Sequence, residues 1–281
     1  MSDLPAPFRR VGVIGLGLIG GSVCMAVKAR WPEVTVVGCD AADQVALASQ
    51  RQVVSSGSAE VGTLYDCDLI VVAVPLSASA GVLASVVAMG TNAVVTDVGS
   101  TKRGVMAAAR AAGARRFVGG HPMAGAERPG LEQARGDLFV NRPWLLVRGT
   151  ADDADGARLE QFVAALGARP SWMDATAHDR AVAYVSHLPQ VLAAALMKAA
   201  DEGATEAGQT AAGPAFAEMT RLASSPPDMW QAVLSENADF VAEALARFAG
   251  ELPSVADLQS GAWVRQVLTQ AGEARGRWRR P

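Results

Sequence analysis

The chain has 281 residues, long for a single domain and natural for two. Half of those residues are hydrophobic and only 5% are aromatic, a balance that suits close-packed helices on a parallel sheet and excludes a disordered chain. A formal charge of −3 leaves no basic footprint for nucleic acid, and the short basic run at 275–280 (RGRWRR) reads as a solvated tail.

Three cysteines, Cys24, Cys39 and Cys67, show neither a CxxC spacing nor an even count. No metal site and no disulfide framework is expected, and a reducing cytoplasm fits best. The apolar stretch 11–27 is shorter than the ~20 residues a membrane span needs. Gly12, Gly15, Gly17, Gly20 and Gly21 interrupt it, and no small-residue cleavage site precedes Lys28 and Arg30. Neither a span nor a signal sequence is expected, and no membrane partner.

Taken in chain order, short runs rich in Val, Ile and Leu at 11–15, 34–39, 69–74, 93–97, 117–119 and 144–147 predict strands. They are continuous rather than alternating, as expected of parallel strands covered on both faces. Helical patterns at 18–30, 44–50, 78–88 and 102–112 fall between them, and the β-α-β order predicts a Rossmann-type doubly wound α/β domain over 1–173. From about residue 175 the pattern changes to long Ala- and Leu-rich helical stretches at 176–200, 228–248 and 254–274. The reading is an all-helical second domain over 174–281, whose apolar faces call for a homodimer.

Gly15, Gly17 and Gly20 have the GxGxxG spacing directly between a predicted strand and a predicted helix. The glycines allow a tight turn, close approach of a pyrophosphate, and close helix–strand packing. The loop they define, with Leu16, Leu18 and Ile19, offers a helix N-terminus to phosphate. Asp40 ends the next strand, about 20 residues further on, where a carboxylate accepts ribose hydroxyls and repels a 2′-phosphate. That points to NAD rather than NADP, the competing reading being an ordinary cap for the next helix. Val74 and Pro75, closing the next strand, are expected to line the same cofactor edge.

Three segments narrow the field: 97–102 (DVGSTK), 119–127 (GGHPMAGAE) and 186–190 (SHLPQ). The first two follow strands, at the carboxyl edge where ligands of open α/β sheets bind. At 100° per residue, Asp179, Ala183, Ser186 and Gln190 fall within roughly 60° of one another, with His187 beside them, and Pro189 should perturb the helix. A cleft-facing stripe and a solvated face both fit that pattern. Together the segments resemble the prephenate and arogenate dehydrogenases, through residues 11 to about 248. The resemblance implies oxidative decarboxylation of a cyclohexadienol: hydride leaves the carbon bearing the hydroxyl, carboxylate leaves the opposite position, and the ring aromatises.

By the same resemblance, His121 is the catalytic acceptor of the hydroxyl proton, a role for which imidazole is suited near neutrality; the alternative is a histidine that only organises a turn. Ser100 matches a serine supporting that histidine, although a helix N-cap is the other reading. Arg221 matches an arginine gripping a substrate carboxylate, against a surface salt bridge. Glu127 and Asp179 match acidic positions associated with that arginine, and Trp230 a nearby aromatic that also reads as core. His187 and Gln190 fall at the substrate end. Gln190 stands where many prephenate-preferring members have a second histidine, which leaves arogenate open. A β-hydroxyacid dehydrogenase would want a lysine on the long helix, where only Lys198 is present, lying off the stripe; a catalytically silent NAD-binding regulator would lack His121, Ser100 and Arg221.

Overall fold

The computed structural model describes residues 5–126, 128–204 and 206–278. By packing, the chain divides into a large unit, Met1–Val241, and a small one, Ala242–Pro281. The large unit opens with β1 (Arg10–Ile14), α1 (Leu18–Arg30), β2 (Thr35–Cys39), α2 (Ala42–Gln50), β3 (Ser56–Ser58), β4 (Leu69–Val72), α3 (Leu76–Ala88), β5 (Val94–Asp97), α4 (Arg103–Ala111) and β6 (Phe117–Pro122). It continues through β7 (Pro143–Val147), α5 (Asp153–Ala165) and β8 (Arg169–Met173). One sheet results, in the order β3-β2-β1-β4-β5-β6-β7-β8.

The six expected strands are all present, and two more, β3 and β8, form the sheet's edges. One departure concerns direction: β7 runs antiparallel to β6, with Gly119 opposite Val147, so the sheet is mostly rather than wholly parallel. Burial on both faces explains the continuous apolar runs. Along β4, Leu69 and Val71 pack with α1 and α5 residues, while Ile70 and Val72 pack with Leu83 of α3 and Val105 of α4.

Beyond the sheet come α6 (Ala175–Val182), a π turn (Ala183–His187), α7 (Leu188–Gly203), α8 (Glu206–Ala211), α9 (Pro214–Thr220), a 3-10 turn (Arg221–Ser224), α10 (Pro227–Glu236) and α11 (Ala238–Gly250). The small unit carries the end of α11, then α12 (Val255–Ser260) and α13 (Ala262–Trp278). Each of the three long helices expected from sequence is broken, for a separate reason. Pro189 brings no N–H to the ladder and crowds the turn before it, and the chain answers with the π turn. Asn237 leaves helical geometry between α10 and α11 and is itself fully buried. Gly261 takes a left-handed conformation, φ +68°, between α12 and α13. Among the described residues no helix is long and apolar enough to cross a membrane.

Phe162 of α5 locks one helical layer to the rest. Its ring stacks on Trp31 at 5.8 Å and meets the edge of Phe8 at 5.7 Å. Phe162→Ala is expected to cost about 3–5 kcal/mol in urea unfolding.

Candidate active site

The glycine loop is built as the spacing requires. Gly15 has φ +94°, and a Cβ there would meet the Ala73 carbonyl at 2.4 Å; a Cβ on Gly20 would lie 1.8 Å from the Gly15 carbonyl oxygen. At Gly17 an added Cβ meets nothing within 4 Å, so this glycine leaves open space in front of the first turn of α1. No side chain caps that turn, and its N–H groups form a cradle for phosphate. Leu16 is buried, while Leu18 and Ile19 are half-buried. Asp40 accepts the Leu16 N–H at 2.6 Å and the Ala41 N–H at 2.7 Å, which fixes its carboxylate beside the loop. Val74 and Pro75 follow β4, Pro75 standing at the N-terminus of α3. These residues fit the adenosine and pyrophosphate end of a dinucleotide.

His121 lies on β6 next to its carboxyl end, 8% exposed. Its neighbours are held by Asp97, the last residue of β5. Asp97 accepts the Gly120 N–H at 3.0 Å and the Gly99 N–H at 2.8 Å, and pairs with the Lys102 ammonium, which is wholly buried. One carboxylate thus sets the strand carrying His121 and the loop carrying Ser100 against each other. Burial pushes the Lys102 ammonium below its ordinary value, and Asp97 pulls the other way.

His121 faces a second imidazole from α6. Its Nδ1 is 2.9 Å from His178 Nε2, and His178 Nδ1 is 2.8 Å from Asp179 Oδ1. Asp179 also accepts the backbone N–H groups of Lys102 at 2.7 Å and Arg103 at 2.9 Å, and Arg103 Nε at 3.1 Å. It is therefore the cap of α4, supplied from another helix. Burial raises the Asp179 carboxyl, but the hydrogen bonds from His178 and the two N–H groups outweigh it and hold the pKa below the usual carboxylate value. His121 is driven the other way: burial first, then the neighbouring His178, Lys102 and His187, keep its pKa well below that of ordinary imidazole.

The Arg103 guanidinium goes on to bridge Asp239, at 2.6 and 2.7 Å, and the Asn237 side-chain oxygen at 3.0 Å. Asn237 Nδ2 then donates to the Asp179 carbonyl at 2.7 Å and faces His187 Nδ1 at 3.1 Å. His187 is buried, which lowers its pKa to about 4, and its ring meets Trp230 edge-on at 5.9 Å. All three histidines of the chain therefore gather around Asp179.

The sequence-derived residues are placed as follows. Ser100 is half-buried in the loop after β5 and does not cap α4, whose N-terminus belongs to Asp179. Asp179 is 1% exposed, with its carboxylate turned to His178 and α4. Gln190 is buried, its amide donating to the Leu222 carbonyl at 2.8 Å and accepting from Ser225 Oγ at 3.2 Å; it thus braces the 3-10 turn on which exposed Arg221 stands. Glu127 lies outside the described residues. Lys198, wanted by the β-hydroxyacid reading, is a surface residue paired with Glu202 at 2.8 Å. Sequence reasoning missed His178, Asn237, Arg103 and the Asp97–Lys102 pair. The signal available for His178 was its rarity, one of three histidines, directly before an aspartate.

Fold and site together define an α/β protein of the nucleotide-binding kind, with a glycine loop and a buried imidazole at the carboxyl edge of its sheet. The chain belongs to the prephenate dehydrogenase family: residues 23–171 match the model described as "Prephenate dehydrogenase, nucleotide-binding domain" and residues 174–263 the one described as "Prephenate dehydrogenase, dimerization domain". It is 31% identical over 256 residues to the prephenate dehydrogenase of Lactococcus lactis subsp. cremoris, covering 88% of this chain and 70% of that one. With the cyclohexadienyl dehydrogenase of Zymomonas mobilis subsp. mobilis it shares 29% identity across 95% of both. The crystal structure of Synechocystis arogenate dehydrogenase superimposes with a TM-score of 0.83 at 26% identity, covering 96% of this chain and 99% of that one.

Two alanine substitutions should separate structure from binding in the glycine loop. Gly20→Ala is expected to destabilise the fold by about 1–3 kcal/mol. Gly17→Ala should leave stability within about 0.5 kcal/mol while weakening dinucleotide binding at least ~10-fold, about 1.4 kcal/mol. Urea unfolding and cofactor titration check both.

Proposed function

We propose that this chain catalyses NAD-dependent oxidative decarboxylation of prephenate, arogenate or both, giving 4-hydroxyphenylpyruvate and tyrosine respectively. The single observation that carries this reading is a neutral, buried His121 at the carboxyl edge of a family nucleotide-binding domain. The cofactor is held by the Gly15–Gly20 loop, with Asp40 at the ribose and Val74 and Pro75 on the same edge. NAD, when bound, supplies the hydride acceptor.

The protein's own part is proton handling and positioning. His121 takes the proton of the substrate's ring hydroxyl as hydride leaves the same carbon, so a ring ketone forms. The opposite carboxylate then departs as carbon dioxide, its bonding pair aromatises the ring, and the resulting phenolate recovers the proton from His121. No net proton is released by this sequence. Ser100 supports the hydroxyl from its loop, and Arg221 grips a substrate carboxylate. His187 and Trp230 line the far end. Gln190 acts through the Arg221 turn, since both ends of its amide are engaged there.

The functional division of the chain lies at about residue 173, with a helical half that dimerises. Supporting this, α8, α9, α12 and α13 bury no residue within the single chain, and Met219, Leu252, Val255, Leu258 and Leu268 are exposed. Apolar area of that kind calls for a partner copy. A cytoplasmic location fits the three free cysteines.

Initial rates of NADH formation with prephenate and with arogenate, each with NAD and NADP, test the reading; absence of a rate with both substrates overturns it. His121→Asn is expected to lower kcat by about 10²–10⁴ with cofactor binding retained. Because a base works when unprotonated and the His121 pKa is depressed, kcat/KM should stay flat down through 6.5, the ordinary imidazole pKa, and fall only at lower pH. A limb at or above 6.5 would exclude His121 as that base.

A further inference from the structure

His121 can serve as a base only if the nitrogen facing substrate is bare, and free imidazole has no strong reason to keep it so. The structure supplies one. Asp179 is ionised and so can only accept, which obliges His178 Nδ1, 2.8 Å away, to carry a proton. A neutral imidazole has one N–H, so His178 Nε2 is then an acceptor. It lies 2.9 Å from His121 Nδ1, which must carry the next proton. That leaves His121 Nε2 with its lone pair free. The opposite arrangement, with His178 doubly protonated, would force the His121 proton onto Nε2 and abolish the base.

We propose that His178 is a positioning residue for proton abstraction: together with Asp179 it fixes His121 in its Nδ1–H form and spreads the positive charge that His121 acquires. When Nε2 of His121 gains the hydroxyl proton, its Nδ1–H moves toward His178 Nε2 and the His178 Nδ1–H toward Asp179. The charge is thereby opposed by a carboxylate already tied to the α4 N-terminus. The principle is that of the Ser-His-Asp triad, in which a buried carboxylate sets tautomer and orientation, lengthened by one imidazole. Both groups are closed to solvent, His178 being 0% exposed and Asp179 1%.

His187 provides an internal contrast. The Asn237 side-chain oxygen accepts from Arg103, so its Nδ2 faces His187 Nδ1 and donates to it. His187 therefore carries its proton on Nε2. The three histidines therefore divide between two tautomers: Nδ1–H at His121 and at His178, Nε2–H at His187.

This inference rests on the proposed reaction for its kinetic arm but not for its spectroscopic one. Long-range ¹H–¹⁵N correlation of the imidazoles in the unaltered, cofactor-free protein near pH 7 should show the two Nδ1–H rings and one Nε2–H ring, with His187→Gln assigning the last. An Nε2–H or doubly protonated His121 would overturn the proposal without any reference to turnover. In kinetics, His178→Phe should lower kcat by about 10²–10⁴ with KM little changed, and His178→Gln, which keeps an acceptor for His121 Nδ1–H, should recover about a tenth or more of the lost rate. Full kcat in folded His178→Phe would also overturn it. If the unaltered protein oxidises neither prephenate nor arogenate, the proposed reaction fails while the tautomer measurement still decides the relay.

Discussion

Everything around the candidate site hangs on the carboxylate of Asp179. A helix N-terminus leaves N–H groups without partners and carries partial positive charge. Asp179 answers both needs of α4 from a different helix, accepting the Lys102 and Arg103 amides while its other contacts run to His178 and the Arg103 side chain. The interaction joins the sheet domain's α4 to the first helix after the sheet. It also fixes where α6 stands, and with it the His178 ring that faces His121. Removing one partner from a buried charged cluster of this kind typically costs about 3–5 kcal/mol, so the arrangement is rigid as well as polar.

A second buried carboxylate works in parallel on the sheet side. Asp97 is held by the Lys102 ammonium and spends its remaining acceptor capacity on the Gly99 and Gly120 amides. Lys102 therefore serves both centres, its backbone bonded to Asp179 and its side chain to Asp97. The geometry of His121 is over-determined: strand register from one side, a neighbouring ring from the other. Such over-determination is what keeps a hydrogen-bonded site within the narrow tolerance that proton transfer demands.

Much of this could be read from the chain, and the failures have a pattern. The six strands read from apolar runs are the interior of the sheet, where burial on two faces imposes the signal. The two that were missed are its edges: Ser-Gly-Ser in β3, and the proline-containing, half-exposed β8. Edge strands are not covered on both sides and so carry no continuous apolar run. Helix continuity was over-read because periodicity does not report breaks made by tertiary contacts, and Asn237 leaves its helix in order to reach Asp179 and His187. His121, Ser100 and the glycines were picked out as candidates because local motifs surround them. His178 and Asp97 were not, since their partners lie 57 residues (His121) and 23 residues (Gly120) along the chain. The π turn also altered the expected stripe, since it advances each residue by less than an α-helical step and carries buried His187 toward the face of Asp179.

The two family models meet between residues 171 and 174, and that seam divides the site's parts unequally. His121, Asp97 and α4 fall before it; His178, Asp179 and His187 fall after it. A nucleotide-binding half transplanted onto some other partner would arrive with α4 uncapped and its imidazole without a neighbour. Nucleotide-binding domains are among the most readily shuffled modules, yet here the buried His121 ring and its anchor are inherited on opposite sides of the join. The two halves of this chain can diversify at their surfaces, but they have to be passed on together.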